Sequence, residues 1–292
     1  MTFGYDFDFF WRAAGAILHG ESPYSVGGFF SPYPLALLLA PLALLPFGVA
    51  YGIWTALKLA LLARISDRWS FLRALLFLPV AFDLWQGQLD LLVVLVASRL
   101  NWIGAVVCTL RPQLALWIIP FLAWTWWKQK RHDQYWKSLL GILVLFGLST
   151  LIEPSWWSSW INAGSVAWEY NAQAASLFGL AQILPLPHIV VFVVLAVLAL
   201  IGLVVLRPLT PPAFWQHLAL FNPVANAYSL VVLLGQIDWI LIVMALLALP
   251  LSRIAHTNAV WALLPLYLLV RNRLSPGARD HVANQRASMN SQ

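Results

Sequence analysis

The sequence predicts an all-α integral membrane protein: a polytopic bundle of about nine or ten spans, several of them half-length, with a cavity at its outer face. Three observations predict it. Of 292 residues, 61% are hydrophobic and 10% charged, with mean hydropathy +0.78; soluble domains carry about 25% charged residues and at most about half apolar ones. The Lys and Arg behind the net charge of +6 sit in short patches between apolar runs rather than along one face. Such patches report orientation, so nucleic acid is excluded as a partner. Seventeen Trp suit the membrane interface, where a ring with one polar atom settles at headgroup depth. No repeat, linker or low-complexity tract divides the chain. Residues 1–275 therefore read as a single polytopic membrane domain, and residues 276–292 as a disordered tail.

Within residues 1–33, Phe9, Phe10, Ala13, Ala14 and Ile17 recur at spacings of three and four, and Gly20 follows as a stop, so a helix is predicted from Asp6 to His19. Asp6 stands at or just before its start. Asp8 lies four residues before Arg12, the spacing at which opposite charges pair along a helix, which leaves Asp6 as the freer carboxylate. The segment has three acids against one base, no basic n-region and no continuous apolar core, so it is not a signal peptide. Its external placement, argued next, requires either that this short tail is translocated unaided or, as the favoured expectation, that an upstream membrane helix is missing here.

Residues 34–63 contain one charge, Lys58, which is expected to snorkel. Pro41 and Pro46 divide them into an interfacial helix at 34–46 and a span at 47–63. Arg64, Arg68 and Arg73 form a short basic loop that belongs in the cytoplasm, which puts residues 1–33 outside. Residues 72–85 return outward, Gln86, Gly87, Gln88 and Asp90 make a polar break, and residues 91–98 go back in to Arg99. Residues 102–127 are long enough for one helix, but that would leave Lys128, Lys130, Arg131 and Lys137 outside. A break at Arg111-Pro112 puts those bases inside, because proline removes a backbone donor and keeps the residue before it out of helix. Arg111 then sits at the outer end of two half-length helices.

Residues 137–152 run outward. Residues 153–187 hold Glu153 and Glu169 and no Lys or Arg, as an external loop should. Trp156, Trp157, Trp160, Trp168 and Tyr170 make this loop hug the interface, and loops of such length are uncommon without function. Residues 188–206 re-enter to Arg207, residues 213–220 rise to an outer turn at Asn222-Pro223 with Asn226 and Tyr228 beside it, and Gln236 and Asp238 interrupt the next apolar run. Arg253 and the tail bases Arg271, Arg273, Arg279 and Arg286 all call for the cytoplasm, yet the apolar run 259–270 separates them. One of the two placements must fail.

On this topology four polar sites meet at the outer face: Asp6 with Asp8, Gln88 with Asp90, Arg111 to Gln113, and Asn171 to Ser176 together with Asn222 to Tyr228. Ionisable groups at membrane depth are costly and usually functional. Asp6 is the candidate catalytic residue. The candidate substrate-binding residues are Asp8, Arg12, Tyr33, Gln88, Asp90, Arg111, Gln113, Asn171, Asn222 and Tyr228. Plainer readings stand beside them: Asp6 as a helix N-cap, Arg111 as a snorkelling side chain or the partner of Asp90, and the Trp-rich loop as an interfacial belt alone. Asp83 and Asp238 are expected to partner Arg or Lys. The six His show no HxxxH or HExxH spacing and the single Cys108 lies in an apolar run, which argues against a metal site and excludes an internal disulfide. No Gly-rich phosphate loop is present, so any group donor must be presented from the lipid.

The motifs DFDFFWRAAGAILHGESPY (6–24), FFSPYPLALLLAPLALLP (29–46), GQLDLLVVL (87–95) and LRPQLALWIIP (110–120), the last before a basic loop, resemble glycosyltransferase family 87. These are mannosyltransferases of the GT-C superfamily that depend on polyprenyl-phosphate mannose. The likeness spans roughly residues 5–135, with weaker echoes at 171–180 and 222–234. It implies a hexosyltransferase without cofactor, whose co-substrate is a lipid-linked sugar and whose partners are a glycolipid or glycan acceptor and membrane lipids. It places the family's external catalytic aspartate at Asp6, its GQxN element at Gln88 with Asp90 for asparagine, and its Lys-Pro-Gln element at Arg111, Pro112 and Gln113. Two features depart: the membrane helix that normally precedes the aspartate is absent, and a His-Tyr pair near the C-terminal motif reads Ala227-Tyr228.

The chemistry has simple requirements. A leaving phosphate carries its own charge and needs a cation, which Arg111 supplies bidentately. An acceptor hydroxyl needs a base within about 3 Å, for which Asp6 is the candidate. One base opposite a departing phosphate implies inversion. A tight N-cap role would lower the Asp6 pKa and weaken it as a base. Two other readings stay open: a lipid or solute transporter, whose broken helices would look similar though no paired repeat is evident, and an inactive, truncated relative acting as a partner subunit.

Overall fold

In the computed structural model, which describes residues 3–168, 174–182, 184, 186–205, 211–222 and 226–274, every regular element among the described residues is helical. The chain opens with α1 (Tyr5–Leu18), which buries Phe7, Phe10, Ala13 and Ala14 and lies along α2 (Tyr33–Ala43), where Ala36 allows a close approach. Helix α1 ends at His19 and a left-handed Gly20, as the sequence predicts. After Pro46 comes α3 (Phe47–Ile65).

Residues 72–85 do not form one outward span. They split into α4 (Arg68–Leu76) and α5 (Leu78–Gln86), because the chain turns extended at Phe77 and Pro79 occupies the first turn of α5, where its missing N–H needs no partner. Helix α6 (Asp90–Ala97) leaves α5 at 118°. The break at Arg111 is real. Helix α7 (Trp102–Cys108) and α8 (Pro112–Lys128) flank an Arg111 held at φ −129°, ψ 79° by the proline after it.

Helix α9 (His132–Ile152), at 21 residues, is the longest among the described residues, and the Trp-rich stretch after it holds a helix, α10 (Trp156–Trp168), in place of the expected loop. Then follow α11 (His188–Val205), α12 (Pro211–Phe221), a 3₁₀ run Ala227–Gln236, α13 (Trp239–Ile254), a 3₁₀ turn Asn258–Ala262 and α14 (Leu263–Leu274). The expected disordered tail, 276–292, lies outside the described residues.

Of the nine or ten spans expected, helix length and composition among the described residues support two, α3 and α9, or three if the bent α5–α6 pair is one span. Large apolar side chains such as Leu143 and Leu151 of α9 and Ile189 and Leu200 of α11 stand exposed. Such a surface suits hydrocarbon and is compatible with membrane association.

The late arginines fall toward two different ends of α13. Arg73 donates to the carbonyl of Ile237 (3.3 Å), and the neighbouring Asp238 pairs with Arg271 and accepts from the Tyr267 hydroxyl (2.9 Å). At the far end of α13, Thr257 donates to the carbonyl of Gly179 (3.0 Å). Sixteen helical residues span about 24 Å. Arg271 therefore groups with the Arg73 end of α13 and Arg253 lies toward the other, so the two do not share one side. Asp238 has the Arg partner expected of it.

Candidate active site

The site is built on the α5–α6 elbow. Gly87 ends α5 at φ +75°, and a Cβ there would lie 2.5 Å from Cβ of Phe7 on α1, so glycine is required. Helix α3 meets the elbow with three side chains on one face. The Tyr51 hydroxyl lies 2.6 Å from the carbonyl of Leu84, Trp54 Nε1 donates to the carbonyl of Gly87 (2.9 Å), and Lys58 Nζ reaches Asp83 Oδ1 (2.7 Å) and the carbonyl of Gln88 (3.0 Å). Lys58 does not snorkel. It and Asp83 are both 0% exposed, because the carbonyls and carboxylate of the elbow give the ammonium partners that the lipid interface would otherwise supply. Asp83 thus has the Lys partner expected of it.

Gln88 and Asp90 leave this elbow toward Arg111. Asp90, 0% exposed, accepts from Arg111 Nε, and its second oxygen accepts from Ser229 Oγ (2.6 Å). Gln88 Nε2 donates to the Tyr228 hydroxyl (3.1 Å), which also takes Asn226 Nδ2 (2.5 Å) and faces the Arg111 guanidinium. The Asp6 carboxyl, in the first turn of α1, lies beside the Gln88 amide. Asp6, Gln88, Asp90, Arg111 and Tyr228 therefore share one network. The plainer reading of Arg111 as the partner of Asp90 also holds, but Nε alone serves that pair, and a guanidinium has five donors.

Asp6 is not an N-cap. Gly4, in the left-handed region, holds that position, and Asp6 is the second residue of the helix. Burial raises its pKa above the usual carboxylate range; the Gln88 hydrogen bond and the Arg111 charge pull it back, and the Asp90 charge pushes it up. This is the opposite of the lowering that a capping role would bring.

Other expected site residues lie elsewhere. Asp8 pairs with Arg12 (2.8 Å), both partly exposed, and two residues along a helix turn Asp8 roughly 200° from Asp6. Tyr33 is buried and packs on Trp156, with Glu153 near. Gln113 is half-buried in the first turn of α8. The carbonyl of Asn222 accepts from Ser176 (2.7 Å), which joins the two late polar stretches, while Asn171 lies outside the described residues. Ser229 and Lys58 were missed as site-building residues. Their signals were the Asn226–Ser229 capping spacing and the i, i+3, i+7 spacing of Tyr51, Trp54 and Lys58. Among the described residues no three His, Cys, Asp or Glu gather as a metal site needs.

Beside the elbow lies a cavity of about 480 Å³ between α3 and α5, lined by Tyr51, Thr55 and Leu59 on one side and Ala81, Leu84 and Trp85 on the other. Phe3 stacks on Trp85 (4.7 Å) at its edge. Compared with family models, curated proteins and solved structures, the chain matches none.

Proposed function

We propose that this chain is a multi-pass cell-membrane glycosyltransferase that moves a hexose, mannose by the resemblance, from a polyprenyl-phosphate sugar to an acceptor hydroxyl on the extracytoplasmic side. The observation that carries the reading is the gathering of Asp6, Gln88, Asp90, Arg111 and Tyr228 into one network from four separate parts of the chain. Asp6 takes the proton of the acceptor hydroxyl, whose oxygen forms the new bond to the anomeric carbon. The bond from that carbon to the phosphate oxygen breaks with its electron pair, and the phosphate leaves toward Arg111. Attack opposite the departing group inverts the centre. A carboxyl whose pKa burial has raised is the stronger base for this step. The apolar cavity beside the elbow would take the first part of the donor's hydrocarbon tail. The spans beyond those supported by helix length, to nine or ten, belong to this reading, as does the external position of residues 1–33 and 153–187.

The test is transfer of labelled sugar from a polyprenyl-phosphate donor in membranes. Asp6→Asn is expected to lower it by about 10²–10⁴-fold with protein accumulation unchanged, and unchanged transfer would discard the proposal. In the wild type the rate should fall as pH drops through the raised Asp6 pKa, since the base is then protonated. Stability runs the other way. Because the folded state disfavours the charged form, the Asp6 cost is absent at low pH and grows as pH rises through its range, so Asp6→Asn should be no less stable than wild type near neutrality. The bent α5–α6 pair also fits a transporter; solute flux in proteoliposomes lacking donor lipid would favour that reading.

A further inference from the structure

We propose that Tyr51, Trp54 and Lys58 of α3 are positioning residues, a polar stripe that holds the α5–α6 elbow in the one register that presents Gln88 and Asp90 to Asp6 and Arg111. A helix C-terminus leaves its last carbonyls without partners, and the carbonyls at the end of α5 and in the turn after it are met from α3. Tyr51 lies against Leu84 and Trp85 (2.6 and 2.8 Å), Trp54 donates to Gly87 (2.9 Å), and Lys58 donates to Asp83 and Gln88 (3.1 and 3.0 Å). With the bond to Asp83 Oδ1, all three hydrogens of Lys58 are used. Asp83 bridges the bend itself: its carbonyl accepts from Gly87 and Gln88, and its Oδ2 accepts from the backbone of Leu91 (2.8 Å), an orphan donor at the start of α6.

A buried Lys–Asp pair adds little net stability over apolar residues of the same size. Its effect here is geometric, fixing a 118° bend whose two polar residues face Asp6 from one side while Arg111 faces it from the α7–α8 break and Tyr228 from the 3₁₀ run. Gln88 is the link by which a shift of the elbow reaches Asp6.

The experiment is an infrared pH titration of the Asp6 carboxyl in the full-length protein, with the band assigned by its loss in Asp6→Asn. Trp54→Phe removes the donor to Gly87 and keeps a ring against Phe7; the pair Lys58→Met with Asp83→Leu replaces the ion pair with apolar side chains. Both are expected to raise the Asp6 midpoint by roughly half a pH unit or more, as Gln88→Leu does, because Gln88 withdraws from the carboxyl. Adding Gln88→Leu to either should move it no further. A midpoint left at the wild-type value in both elbow variants, or one that adds fully to the Gln88→Leu change, overturns the proposal. Trp54→Phe keeps the test valid if the double variant does not accumulate. The transfer readout, a lower kcat with KM for the donor nearly unchanged, rests on the transferase reading; the infrared readout does not. The expected infrared pattern in a protein without transfer would uphold the positioning role and sink that reading alone.

Discussion

Helices α5 and α6 are nine and eight residues long and meet at 118°, with Asp83 and Asp90 wholly buried, whereas α9 runs 21 residues unbroken and buries only Gln134, Ser138 and Ser149. The elbow gives up helix length and takes its backbone partners from Tyr51, Trp54 and Lys58. Helix α9 satisfies its own backbone and turns apolar side chains outward. The difference separates two ways of completing a polar backbone: irregular chain that protein side chains complete, and regular helix that completes itself and so suits hydrocarbon.

Substitutions at three positions sharpen or break this contrast. Arg111→Ala would leave the Asp90 carboxylate buried with only Ser229 and so should cost about 3–5 kcal/mol, read as lost accumulation or a lower unfolding temperature; Arg111→Lys should retain part of it. Wild-type stability in Arg111→Ala would mean that the buried pair does not organise the site. Leu143→Arg, at an exposed position near the middle of α9, should raise the cost of insertion by about 2.5–3.5 kcal/mol, measured as the inserted fraction in a translocation assay. Equal insertion would remove α9 from the membrane. The smallest effect is expected for Asp8→Asn, which removes an exposed i, i+4 pair worth about 0.3–0.5 kcal/mol and should leave sugar transfer as it was; a loss comparable to that of Asp6→Asn would return Asp8 to the site.

Much of this was legible where one residue type has one strong local consequence. Proline at 112 forces Arg111 out of helix, glycine at 20 stops α1, and the polar break at 86–90 does become the elbow. Where partners come from far along the chain, the sequence was silent. Lys58 looked like a snorkelling cation because its partners lie 25 and 30 residues away, and the bond from Ser229 to Asp90 spans 139 residues. The N-cap alternative for Asp6 fails for a different reason: Gly4, in the left-handed conformation, holds that position, so the helix starts one residue earlier than the apolar spacing suggests.

The most direct measurement of the catalytic claim is sugar transfer by Asp6→Ala with and without added formate. A deleted base predicts transfer close to background that rises with formate concentration, the small carboxylate taking the proton that Asp6 no longer takes. Transfer at the wild-type rate without formate would show that Asp6 is not the base and contradict the mechanism.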